Sequence, residues 1–199
     1  MLKFNRLVRS SVIAENGMVA TSQPLSSIEA ISILKKGGNA VDAAIAASAV
    51  QAVVEPSSTG IGGDCFAIIA FNGQKPISVN GSGFAPIKAN FKYFESKNIA
   101  KINLTSPHSV TIPGAVNAWY SMHKKFGKLD FKELFISAEK YARNGFPVQK
   151  VESKSWKNNE QKLNQNSTTS KIFLNNGKAY KFEEIFKNSS ILKSKPIYI

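Results

Sequence analysis

The stretch Ala40-Val-Asp-Ala-Ala-Ile-Ala-Ala-Ser-Ala-Val-Gln-Ala-Val-Val54 constrains the fold of this chain more than any other. Alanines at 40, 43, 44, 46, 47, 49 and 52 make a helix that is small nearly all round. A helix without a polar face is a buried one, and small side chains let neighbouring elements approach its backbone. Asn39 serves as its N-cap, and Asp42 stands in the first turn, where the helix dipole favours a carboxylate. The segment before it reads as a partner helix, capped by Ser26 or Ser27, running to about Lys36, with Glu29 in the first turn. Ile28, Ile31, Ile33 and Leu34 stripe one side at helical spacing. Gly37-Gly38 ends it as a left-handed cap.

Elements of the other kind surround this pair. Met18-Val-Ala-Thr-Ser-Gln23 reads as a buried strand. After the glycine loop Thr59-Gly-Ile-Gly-Gly-Asp64, Phe66-Ala-Ile-Ile-Ala-Phe71 reads as a second buried strand. Asn72-Gly73 is a strong hairpin signal, and Pro76-Ile-Ser-Val79 is the return strand. It delivers Asn80-Gly-Ser-Gly-Phe-Ala-Pro86 beside the glycine corner. A short helix is expected at Phe91–Glu95, and another at about 115–126, carrying Val116, Trp119, Tyr120 and His123. A third should run from Phe131 to Arg143 behind an Asp130 cap. Glu152 to Gln165 is polar and helix-compatible, Asn166–Ser170 reads as a loop, and the tail from Asn188 shows no packing pattern. Together these predict one α/β domain over residues 1–199, polar and weakly patterned beyond about residue 150.

Composition narrows the function classes. With 43% apolar and 20% charged residues over 199 positions, the chain is that of a globular protein with room for one core. No window approaches 18 consecutive apolar residues, so no membrane-spanning helix and no membrane partner is expected. The start, Met1 to Ala14, is basic but lacks a continuous apolar run. That argues against a secretory signal and for a cytoplasmic location. The lone Cys65 excludes an internal disulfide and suits a reducing compartment.

The net charge of +13 sits almost entirely in residues 88–199, which carry +12. Nucleic acid is one reading of that asymmetry. However, lysine outnumbers arginine 23 to 3, and no basic run is interleaved with aromatics. Arginine is the bidentate reader of bases and phosphates, so no nucleic-acid partner is expected.

Few residues offer chemistry by themselves. The loop Thr59–Asp64 matches neither phosphate-binding signature and precedes a strand, so it reads as a tight corner that also lines a substrate pocket. His108 and His123 lack partners at metal-ligand spacing, and no metal or cofactor is expected. His123, beside Lys124 and Lys125, reads as solvated. Cys65 reads as a small core residue, not a nucleophile.

Five anchors in order resemble the gamma-glutamyltransferase (gamma-glutamyltranspeptidase) family. They are Gly37-Gly-Asn-Ala-Val-Asp-Ala-Ala44, Gly60-Ile-Gly-Gly63, Ala85-Pro86, Val110-Thr-Ile-Pro-Gly-Ala115 and Tyr141-Ala-Arg-Asn-Gly-Phe-Pro147. The likeness spans about residues 16–148, with a weaker likeness through Phe186. It implies an incomplete αββα sandwich of the N-terminal-nucleophile hydrolase type, this chain being the N-terminal part of the large subunit. The family's chemistry is acyl transfer from an amide to water or an amine. Its nucleophile is a threonine freed by self-cleavage, whose α-amino group is the base. Ser170 stands where the family's Thr-Thr-His segment would put histidine, so Thr168-Thr169 reads as a coincidental pair. No catalytic residue is assigned here, and the nucleophile is expected in a complementary second half, the small subunit.

The resemblance also implies a donor site at Asn80, Ser82 and Phe84. Family transpeptidases hold the γ-glutamyl α-carboxylate with an arginine just before the Ala-Pro pair. Ser82, or Phe84 under the alignment of acylase-like relatives, replaces it. A neutral residue forfeits that bidentate clamp, which points toward the acylase or amidohydrolase branch and a different amide donor. A non-enzymatic scaffold that keeps the half-core is the alternative, and a basic nucleic-acid-binding protein is the least favoured.

Overall fold

The computed structural model describes residues 11–193. The basic start to Ser10 and the end of the tail from residue 194 lie outside the described residues. Eleven elements follow in order: α1 (Pro24–Lys35), α2 (Ala40–Val54), β1 (Cys65–Ile69), β2 (Ile77–Gly81), α3 (Phe91–Ser96) and α4 (Ala115–Phe126); then α5 (Ile136–Asn144), β3 (Phe146–Pro147), α6 (Lys150–Leu163), α7 (Ser167–Phe173) and β4 (Ile185–Phe186).

α2 is the hub, as its composition requires. Val41, Ala43, Ile45, Ala46, Ala47, Ala49, Val50 and Val53 are all buried on it, facing α1, α4 and α5. Asn39 caps it by accepting from the amides of Val41 (2.9 Å) and Asp42 (3.0 Å). The Asp42 carboxylate reaches back to the Asn39 amide at 3.0 Å, closing a capping box. The same carboxylate, fully buried, also accepts from the amides of Lys128 and Leu129, 86 and 87 residues on. A first-turn residue therefore ties the start of α2 to the end of α4.

β1 and β2 form a two-stranded antiparallel sheet, with Phe66 opposite Asn80 and Ile68 opposite Ser78. Its inner face, Cys65, Ala67, Ile69 and Val79, packs on the helical core. Its outer face does not: Phe66 is 68% and Ile68 79% exposed. β3 and β4 form a second small pair, Phe146 against Phe186, both buried.

The structure departs from the sequence reading at several points. Met18–Gln23 forms no strand among the described residues and bends at Ser22-Gln23 into α1, because strand propensity yields a strand only where a neighbour offers a ladder. α1 begins at Pro24 with Gln23 as cap, since proline is preorganised for the first helical position; Glu29 then falls beyond the first turn. Phe66–Ile69 is buried on one face only. Phe131–Phe135 is a tight 3₁₀ turn ahead of α5. Asn166–Ser170 is the start of α7, capped by the Asn166 side chain accepting from the Thr169 amide at 3.0 Å. Beyond residue 150, an aromatic cluster with a few aliphatic residues supplies the packing. Trp156, Leu174 and Phe186 are buried, and Phe173 and Tyr180 pack on Phe186. Ile191 and Leu192, in the tail, pack on the core as well.

Candidate functional site

The hairpin's return strand brings Asn80, Ser82 and Phe84 out beside the glycine corner, all three on exposed backbone. Alternation in β2 puts Asn80 on the same open face as Phe66, its cross-strand partner. Asn80 Oδ1 accepts from both the Ser82 amide (3.0 Å) and the Ser82 hydroxyl (2.7 Å). These two residues therefore form one small polar turn. Phe84 is 83% exposed, and its carbonyl accepts from the Ile112 amide at 3.0 Å.

This segment is sewn tightly to its surroundings. Gly83 donates its amide to Asp64 Oδ1 at 3.1 Å, and the amides of Gly114 and Ala115 donate to the Gly63 carbonyl at 3.0 and 2.9 Å. A Cβ on Gly83 would stand 1.6 Å from the Ile112 carbonyl oxygen, and one on Gly114 would stand 2.3 Å from that of Gly81. Three glycine-bearing segments thus converge where α4 begins, at backbone distances only glycine allows.

Beside the seam opens a groove of about 540 Å³. Ser48 and Gln51 of α2, Thr59 and Asp64 of the glycine loop, Phe66 of β1 and Trp119 of α4 wall it. Asp64 is its one charged wall; among the described residues no lysine or arginine lines it. Phe66 borders both this groove and the open hairpin face, joining them. Cys65 lies at the groove's edge; burial pushes its thiol up, against a hydrogen bond with Trp119 that pulls it down. A thiol held protonated is a poor nucleophile.

The histidines are placed elsewhere. His108 bridges Tyr93 Oη (3.1 Å from Nε2) and Ser106 Oγ (3.0 Å from Nδ1). His123, read from the sequence as solvated, instead turns inward. Its Nε2–H donates to the Leu129 carbonyl at 2.7 Å, 3.8 Å from the Asp42 carboxylate. The flanking lysines masked a helix that faces both ways. Thr168 and Thr169 lie in the first turn of α7, with the Thr169 hydroxyl against Asn166 Oδ1. Among the described residues no three His, Cys, Asp or Glu side chains come together as a metal group.

Missed by the sequence reading is Glu152, 3% exposed on α6, whose two carboxyl oxygens accept from the Ser57 hydroxyl at 2.8 and 3.0 Å. Burial pushes that carboxyl above its ordinary value, the Ser57 hydroxyl works against the push, and the Glu55 charge adds to it. Ser57 and Glu152 are 95 residues apart, so no local pattern announced the pair.

A sequence model of the gamma-glutamyltranspeptidase family matches residues 26–194. The chain belongs to that family. It is 35% identical to a glutathione hydrolase-like YwrD proenzyme of Bacillus subtilis, covering 86% of this chain and 33% of that protein. It is 30% identical to glutathione hydrolase 2 of Arabidopsis thaliana over 91% of this chain and 31% of that one. It spans about a third of the length of these curated relatives. Among solved structures it superposes on cephalosporin acylase from Bacillus halodurans with a TM-score of 0.85 at 35% identity, covering 92% of this chain and 36% of that one. Helicobacter pylori gamma-glutamyltranspeptidase gives a TM-score of 0.86 at 26% identity, covering 92% and 54%. An α/β fold of this kind is what the anchors from Gly37 to Pro147 implied.

Proposed function

We propose that this chain is the N-terminal portion of an amide-cleaving acyltransferase or hydrolase whose nucleophilic threonine belongs to polypeptide outside these 199 residues. The open hairpin face carries the reading: Phe66 and Ile68 stand exposed beside a groove, on a sheet that has two strands among the described residues. In an αββα sandwich that face is covered by a second half, the small subunit. The catalytic hydroxyl and its α-amino base arrive with it. Threonine attacks the amide carbonyl, the amine leaves, and the acyl-enzyme passes to water or to an acceptor amine.

Asn80, Ser82 and Phe84, with the adjoining groove, form the acyl-donor site of this proposal. Support comes from the charge of the walls. A γ-glutamyl donor carries an α-carboxylate that needs a cation, whereas the groove offers Asp64 and Ser82 and Phe84 are neutral. The donor is therefore an amide without that carboxylate, in keeping with the likeness to a cephalosporin acylase. Arginine introduced by Ser82→Arg or Phe84→Arg in the assembled enzyme should improve γ-glutamyl amides by about 1.5–3 kcal/mol relative to a matched acyl amide. The readout is the ratio of kcat/KM for the two substrates. An unchanged ratio in both variants means that the segment does not touch the donor.

A further inference from the structure

The turn Glu55–Thr59, between α2 and the glycine loop, is pinned at two points. Its own carbonyl anchor is Glu55, whose backbone oxygen accepts from the amides of Ser58 and Thr59, each at 3.1 Å. The Glu55 side chain is held from one side by Gln51 Nε2 at 2.9 Å and by the Ser22 hydroxyl. From the other side, among the described residues, the hydrogen bond that holds it is that of Ser57 to Glu152. Pro56, Ser58, Thr59 and Gly60 line the groove, whereas Ser57 does not; it turns back toward α6. Pro56 and Ser58, which flank Ser57, thus stand on the groove wall next to a residue anchored away from it.

Glu152 is a costly residue to bury, and leucine would fill the same space without that cost. What a carboxyl adds is a discrete geometry. Its two oxygens receive one hydroxyl at 2.8 and 3.0 Å, which fixes the turn in one position, while apolar packing would fix it only by area. We infer that Glu152 is a positioning residue: by holding Ser57 it sets the Pro56–Gly60 wall of the groove. The inference rests on the reading of that groove as part of the donor site, but its test needs no turnover.

Amide hydrogen exchange in the full chain separates positioning from simple stabilisation. The amides of Ser58 and Thr59 report the turn, and those of Val50 and Val53 in α2 report global opening. In Ser57→Ala and Glu152→Leu, the turn amides should exchange about tenfold faster or more, relative to the α2 amides. Glu152→Gln keeps an acceptor for Ser57 and should preserve most of the protection. The double variant Ser57→Ala/Glu152→Leu leaves no buried group unpaired, so α2 protection should return while the turn stays open. If turn protection instead follows α2 protection in every variant, or stays unchanged in all, Glu152 does not position the wall. If the turn behaves as expected but the variants of an active assembly keep kcat and KM, the groove is not the donor site.

Discussion

The corner around Asp42 and the β1–β2 hairpin start from comparably apolar sequence and end in opposite surroundings. At the corner, Asn39, Asp42, His123 and the backbone of Lys128 and Leu129 close on one another, and Val41, Ala43, Ile45 and Ala46 of α2 are buried. In the hairpin, Cys65, Ala67, Ile69 and Val79 pack inward while Phe66 and Ile68 stand in solvent. Burying Phe66 or Ile68 fully would be worth about 1.5–3 kcal/mol each. Within the described residues the fold is closed at the corner and open at the outer face of the hairpin.

If the corner is self-supporting, it should fail when its centre is removed. Asp42→Ala strands the amides of Asn39, Lys128 and Leu129 in the interior and should cost about 3–5 kcal/mol, read as a shift of the urea midpoint. A loss under about 1 kcal/mol would mean that the carboxylate is incidental. Gly83→Ala tests the tightly packed seam at the end of the hairpin. Its methyl group meets the Ile112 carbonyl, so a cost of about 2–3 kcal/mol is expected in the same assay. The open face should behave in the reverse way. Phe66→Ser with Ile68→Ser should change stability by less than about 0.5 kcal/mol, while reducing self-association and the binding of a dye for apolar surface. A large loss of stability there would show that the face is already covered.

The smallest effect is one of pH. The folded value of Glu152 is raised above the unfolded one, so the stability it contributes is full below about pH 4.5 and is lost as pH rises through the folded value. Glu160, farther along α6, is lowered, chiefly by the Ala179 amide and then by Lys157. Its contribution is present above that pH and fades as pH falls through its folded value. Compared with the native chain, Glu152→Gln should therefore gain in relative stability as pH rises from 4 to 7, and Glu160→Gln should lose. Parallel trends in urea midpoints would contradict the placement of the two carboxyls.

Legibility in the sequence followed the range of the interactions. The α2 cap, the hairpin turn and the family anchors are local patterns, and each could be read from consecutive residues. The inward turn of the half-buried His123 could not, because its partner Leu129 lies across a loop and its neighbours Lys124 and Lys125 advertise solvent. Asn166 was visible as a loop former but also caps α7, since asparagine favours both roles. The half-exposure of Phe66–Ile69 was hidden because its run of apolar residues has no period-two alternation to mark an open face. Of the candidate site, the position of the Asn80–Phe84 segment beside the glycine corner was readable from the hairpin. The Ser57–Glu152 tie was not, because it joins residues that share no sequence neighbourhood.

Under the proposed function, these 199 residues supply a donor site and half a core but not the attacking group. Mass analysis of the purified chain during incubation with a γ-glutamyl anilide tests it most directly. The account predicts an intact chain and no release of the aniline. Accumulation of a species with Thr168 or Thr169 at its new N-terminus, together with anilide hydrolysis, would contradict it.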